Sequence, residues 1–159
     1  MSTGEYYNLN KSGSQGQPLS KTEPSINEAL PKIALSSQEK DKKVFGVISN
    51  AENSNDGHRY DSYGSWNSRF DKEDNRLWIN SVGEGGIWVS DYNGNFENGD
   101  YITTSPIEGI GMKQDDDLLH NYTVAKITQD CDFNSLTTNI SYNGQTYKMK
   151  FVGCTYHCG

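Results

Sequence analysis

Apolar positions in this chain come in short runs separated by turn residues and follow the helical period almost nowhere. "KVFGVIS", residues 43 to 49, is a short continuous apolar run, which predicts a buried strand. "RLWINSV" (76 to 82) alternates through Leu77, Ile79 and Val82, and "GGIWVSDY" and "DYITTS" follow as further strands. Asn93-Gly94 and Asn98-Gly99 are two-residue turn signals, since this dipeptide accepts positive φ at both central positions. Residues 76 to 105 therefore predict a small antiparallel meander. "GIGMKQDDDLLHN" (109 to 121) reads as a loop with one helical turn, Asp115 to Asp117 lying where a helix N-terminus favours negative charge. "YTVAKIT" (122 to 128) is a strand with Val124 on one face and Ala125 and Ile127 on the other. The last pair, "TTNISY" and "QTYKMKFVG", flanks Asn143-Gly144. In it Tyr147, Met149 and Phe151 alternate with Lys148 and Lys150, which predicts a half-buried strand with a solvated lysine face.

The remaining segments are polar. Residues 1 to 24 are rich in Ser, Gly, Gln and Asn and predict a flexible or extended N-terminal arm. "NEALPKIAL" is mildly apolar, with Pro31 breaking any helix, and "SSQEKDKK" reads as a charged, solvated loop. In residues 50 to 75 the aromatics Tyr60, Tyr63, Trp66 and Phe70 recur every three or four positions. They fit either a short helix with one apolar stripe or an irregular surface loop pinned by aromatics. No repeat of 20 to 50 residues is visible. The class expected is mainly β: seven to nine strands in antiparallel hairpins and a meander, forming a small sandwich or barrel-like domain over residues 25 to 159 with little helix.

Composition narrows the partners. The hydrophobic fraction of the 159 residues is 33%, and mean hydropathy is −0.82. Either part of the chain is unstructured or the fold gains burial by associating with copies of itself. A net charge of −7 argues against nucleic acid, whose phosphates need a basic face, and against anionic membranes. No run of 18 apolar residues is present, and "MSTGEYYNLNKSGSQGQPLS" lacks the apolar core of a secretory signal. Three cysteines, an odd number, favour a reducing compartment over a disulfide scaffold.

Candidate chemistry is sparse. "CTYHC" brings Cys154, His157 and Cys158 within five residues, and Cys131 lies upstream. These are ligand types for zinc, but at no common finger spacing. Free, disulfide-bonded and metal-bound thiols all remain open from sequence. His58, His120 and His157 sit in polar stretches with no nucleophile elbow. "GEGG" (83 to 86) and "GIGMKQ" (109 to 114) match no dinucleotide or phosphate loop and read as turn geometry. "DDD" (115 to 117) and "DCD" (130 to 132) offer oxygen ligands without EF-hand spacing and read as solvated acidic loops. No catalytic, cofactor-binding or metal-ligating residue is assigned, and no cofactor is expected.

The order "KVFGVIS", "NRLWINSVGEGGIWV", "NGNFENGDYITTS…GIGMKQDDDLLHNYTVAKIT" and "FVGCTYHCG" resembles the C-terminal autoproteolytic intramolecular-chaperone domains of virus tail-spike and appendage proteins. This is peptidase family G two, in the form found in marine phages and large DNA viruses. The resemblance covers about residues 43 to 128. It implies a module at the end of a trimeric fibre or spike that brings three chains into register. Its partners would be two copies of itself and other virion structural proteins, assembled in the host cytoplasm and located in the virion. It also implies one self-cleavage by an acidic D-x-x-E stretch after a scissile serine. That stretch is not found here: "MSTGEYY" has Ser2 and Glu5 with no Asp between them. A different expectation is a receptor- or glycan-binding tip on a viral fibre, with Trp66, Trp78 or Trp88 stacking on sugar rings.

Overall fold

A computed structural model describes residues 1–8, 29–51 and 77–158. The chain divides into two compact units, described separately: Met1, Ala34–Ile48 and Ile79–Gly159 form one, and Ser2–Ile33 with Ser49–Trp78 form the other. The class is mainly β, as the alternation and turn residues imply.

In the smaller unit, β1 (Ser2–Asn8) pairs antiparallel with β2 (Ala29–Ile33). The first residues of the expected arm are thus a strand. Pro31, opposite Tyr6, is compatible with β2 because a two-stranded sheet has only edge strands. A second two-stranded sheet pairs β3 (Val47–Ala51) with β4 (Leu77–Asn80). The strand expected over residues 43 to 49 therefore begins later, and Val44 is instead a buried side chain of the main core. Tyr60, Tyr63, Trp66 and Phe70 lie outside the described residues.

The larger unit is built on β5 (Val82–Ser90), β6 (Tyr101–Thr104), β7 (Gly111–Lys113), β8 (Thr123–Ile127), β9 (Thr138–Tyr142) and β10 (Gln145–His157). Their order is β5-β7-β6-β8-β10-β9, and β5 pairs with β10 as well. Five strands therefore close into a ring, a small barrel with β9 attached outside it. A ring of five cannot alternate direction at every step. The odd pair is β5–β7, parallel at Val89↔Gly111, and the other four pairings are antiparallel. The expected meander over residues 76 to 105 is not formed: β4 leaves to pair with β3, and β7 stands between β5 and β6. Strand neighbours were set by closure of the ring, which hairpin signals do not encode.

The barrel interior is a complete core: Val89, Ile102, Ala125, Ile127 and Val152 are all at or below 1% exposure. Val124, expected on the opposite face of β8 from Ala125, is buried with it, next to an irregular step in the β6–β8 register between Ile102 and Thr103. Outside the strands, Phe96 and Cys131 exchange backbone hydrogen bonds of 2.9 and 3.0 Å. Phe96 and Phe133 are buried with ring centroids 6.3 Å apart. Phe133 takes a positive φ of 54°, held by that burial.

β10 keeps the expected face at Tyr147 and Met149, both half-buried with Lys148 exposed between them, and departs from it at Phe151. Phe151 is 57% exposed, while Val152, Cys154 and Tyr156 are buried. The Tyr147–Met149–Phe151 stripe is apolar, but past Met149 the strand joins the ring, where the even positions point inward. Of the three Asn-Gly pairs, only Asn143-Gly144 has positive φ at both residues (48° and 76°), and it makes the β9–β10 hairpin. Asn93 closes a 3-10 turn, Asp91–Asn93, and Gly94 and Gly99 alone take positive φ in their pairs. The loop after β7 contains no helical turn.

Candidate functional site

The acidic loop after β7 is organised from within. Gln114, 2% exposed, donates through Nε2 to Asp116 O (3.1 Å), Asp116 Oδ1 (3.0 Å) and Leu118 O (2.7 Å). Its Oε1 accepts from Thr123 Oγ1 at 2.7 Å, and that hydroxyl also accepts from His120 N at 2.9 Å. His120 Nε2 lies 3.0 and 3.1 Å from the two oxygens of Asp116, and its ring stacks on Tyr122 at 4.5 Å. Asp115 pairs with Lys40 at 2.5 Å and accepts from Asn93 at 2.7 Å. The Lys40 hydrogen bond, then the Asn93 one, holds the Asp115 carboxyl below its ordinary value. The Leu118 N–H does the same first for Asp116. In the second acidic run, Asp130 caps Asn98 N (2.7 Å) and Asp132 caps Asn134 N (3.1 Å). These carboxylates serve as loop caps. Among the described residues no group of three or more His, Cys, Asp or Glu side chains converges to hold a metal.

"SSQEKDKK" is a mostly exposed loop, as expected, with one departure at Asp41. Asp41 is 5% exposed. Its N–H donates to Thr104 Oγ1 at 2.8 Å, and its Oδ1 accepts from Lys43 N at 2.9 Å. Its Oδ2 has no hydrogen-bond partner and faces Lys43 Nζ at 3.6 Å. No periodicity in the sequence signals this burial, because the segment is not a regular element.

The cysteine-histidine cluster is not assembled. Successive side chains on a strand point to opposite faces. Cys154 therefore faces the core while His157 faces outward, where its Nε2 meets Thr155 Oγ1 at 3.0 Å. Cys131, Cys154 and Cys158 are all free thiols. Burial pushes Cys154 and Cys158 up to about 11, and it raises Cys131 as well. Such thiols are poor nucleophiles at neutral pH. His58 lies outside the described residues.

"GEGG" is strand rather than turn. Gly85 and Gly86 stand on opposite faces of β5, and each leaves room for an aromatic ring from β10. A Cβ on Gly85 would lie 2.4 Å from Tyr156 Oη, and one on Gly86 2.3 Å from the Phe151 ring. Inside, Tyr156 donates to Gly86 O at 2.8 Å. Outside, Phe151 sits in register with Trp88, ring centroids 5.5 Å apart, and Trp88 is 42% exposed. The same outer surface carries a polar row across four strands: Tyr101, Lys126, Thr155 and Glu84, paired in register. Lys126 Nζ lies 5.7 Å over the Tyr101 ring. Glycines Gly86 and Gly153, themselves paired, separate the polar row from the aromatic pair. Trp88 was a candidate from sequence. Phe151, read as a buried position, is its missing partner, and only the register could place the two together. Trp66 lies outside the described residues, as does the side chain of Trp78.

The β9–β10 hairpin is the other exposed feature. Its root is held by the 3-10 turn: Lys148 N donates to Asp91 Oδ1 at 2.9 Å. Tyr92 packs on Tyr147 at 5.2 Å and on Tyr142 at 6.3 Å. The far side of β9 has no strand partner among the described residues. Compared with protein-family models, curated proteins and solved structures, the chain finds no match in any of the three.

Proposed function

We propose that this chain is an assembly module of a virion structural protein, a trimerisation or intramolecular-chaperone domain that associates with copies of itself through the free edge of β9. The observation that carries the reading is the character of that edge. Five strands join in the ring, β5 meeting β7 only at Val89↔Gly111, and β9 remains outside it with one side unpaired among the described residues. Exposed edges are ordinarily blunted by charge, Lys or Pro. The sequence of β9, "TNISY", contains none of these. The hairpin is also anchored at its root, so the edge is presented in a defined orientation. The order of motifs resembling viral chaperone domains adds support. No residue of this chain is assigned to self-cleavage.

Symmetry makes the reading specific. Pairing of β9 with β9 generates a two-fold dimer, whereas a closed trimer requires β9 to meet a different edge of its neighbour. In a two-residue hairpin Tyr142 and Gln145 form the hydrogen-bonded pair, so by alternation the Ser141 N–H points to the free side. Ser141→Pro therefore removes an outward donor without breaking the β9–β10 ladder. Sedimentation equilibrium at micromolar concentration should give three times the chain mass for the parent and a monomer for S141P. A parent that sediments as a monomer would overturn the proposal, and a dimer would replace the trimer by β9–β9 pairing.

A further inference from the structure

We propose that the outward face of β5 and β10 is a carbohydrate-binding surface, with Trp88 and Phe151 stacking on the apolar face of a neutral sugar ring. This site is separate from the β9 edge and does not depend on the assembly reading. The first observation is the aromatic pair itself. Trp88 and Phe151 are register partners on one face, in ring contact, and both remain substantially exposed. Phe151 lies over Gly86, which explains its placement there but not its exposure.

The second observation is size. Fully buried aromatics each contribute about 150–250 Å², so the uncovered parts of these two amount to roughly 200 Å². A specific protein interface needs about 800 Å² per partner. The patch is therefore small for a second copy of the chain and suited to a ring-sized ligand.

The third observation is the polar row beside it. Residues two apart on a strand are separated by about 6.7 Å. Thr155 and Glu84 thus stand two positions beyond Gly153 and Gly86, which in turn stand two positions from Phe151 and Trp88. Glycine at both intervening positions makes room for the Phe151 ring over Gly86 and for Thr128 Oγ1 against Gly153. A sugar lying on the rings has Thr128 Oγ1 beside it at the glycine row, and its next unit reaches the Glu84 carboxylate, the Thr155 hydroxyl and Lys126. Acceptor, hydroxyl and donor in one row suit a ligand with many hydroxyls, and the presence of both signs of charge favours a neutral one.

The test is a titration of the full chain with cellotriose and with chitotriose, followed by two-dimensional NMR. Saturable shifts of the Trp88 indole N–H and of the Gly86, Gly153 and Thr155 amides are expected, with a dissociation constant on the order of 1 mM for an open surface. Trp88→Ala should abolish them. Glu84→Gln, a change too mild to disturb the fold, should weaken binding about tenfold through loss of a charged acceptor. Binding should persist in S141P, so failure of the assembly proposal leaves this one standing. Three results would overturn it: no saturable shift at Trp88 with either sugar, shifts that survive W88A, or conversion of the parent assembly to monomer by W88A. The last would assign the face to a second copy.

Discussion

At Gly85 and Gly86 the absence of a side chain lets two rings of β10 lie against β5, and the two positions differ in what surrounds the ring. Tyr156 is buried and tied to Gly86 O, so it cannot swing away from a new Cβ. Gly85→Ala should destabilise the chain by about 1–3 kcal/mol, as overpacking does. Phe151 is exposed and can rotate into solvent, so Gly86→Ala should cost markedly less. Urea denaturation of both variants checks the order; equal losses would mean that Phe151 is as fixed as Tyr156. A second residue-scale expectation concerns acid. Asp115, Asp116 and Asp132 are all held below the ordinary 3.8 by hydrogen bonds made in the folded state. Their contribution to stability is full above that value and is lost as pH falls through the lower folded values. Unfolding midpoints followed from about pH 5 to pH 2 should decline, and Asp116→Asn should make the decline shallower.

At the scale of elements, the Asn143-Gly144 turn and the strand it closes were legible because the turn chemistry is local. Gly144→Val places a β-branched side chain at φ 76°, so the hairpin should loosen while the ring stays intact. Hydrogen exchange should accelerate for Thr138–Tyr142 and remain slow for Ala125 and Val152; uniform acceleration would mean that the hairpin and barrel unfold as one. Two neighbouring features of the same strand were not legible. The apolar stripe Tyr147–Met149–Phe151 has the period of a half-buried strand, yet β10 serves two environments. Its first part pairs with β9 outside the ring, and its later part is a stave of the barrel. The inward positions are set by the second role. Likewise, the ligand-like spacing in "CTYHC" has no meaning on a strand that sends Cys154 and His157 to opposite faces.

At the scale of the molecule, the low hydrophobic fraction suggested burial gained from neighbours. The larger unit has a core of its own, buried inside the ring of five strands. Association through β9 would add to a finished core. Ile102, with no exposed surface, sits on β6 inside the ring, and Ile102→Ala should cost about 2–5 kcal/mol. The thiols report on the same closure. With Cys154 and Cys158 up at about 11, only about one in a thousand of these groups is thiolate at pH 8. Iodoacetamide at that pH should label them slowly in the native chain and quickly in urea. Rapid native labelling of Cys154 would mean that the barrel opens far below its global unfolding free energy.

The amino-acid order alone determined that this chain is built of strands, that Asn143-Gly144 suits a tight hairpin turn, and that its balance of charge is acidic. These follow from interactions between residues a few positions apart, namely period-two alternation, the positive φ tolerated by Asn-Gly, and summed composition. Tertiary structure alone decided that five strands close into a ring, which side of β10 faces inward, that Asp41 is buried, and that Trp88 and Phe151 meet on an open face. Each of those depends on pairing between segments far apart in sequence. In a strand, moreover, a shift of one residue in register exchanges inside for outside, so no local pattern can settle it.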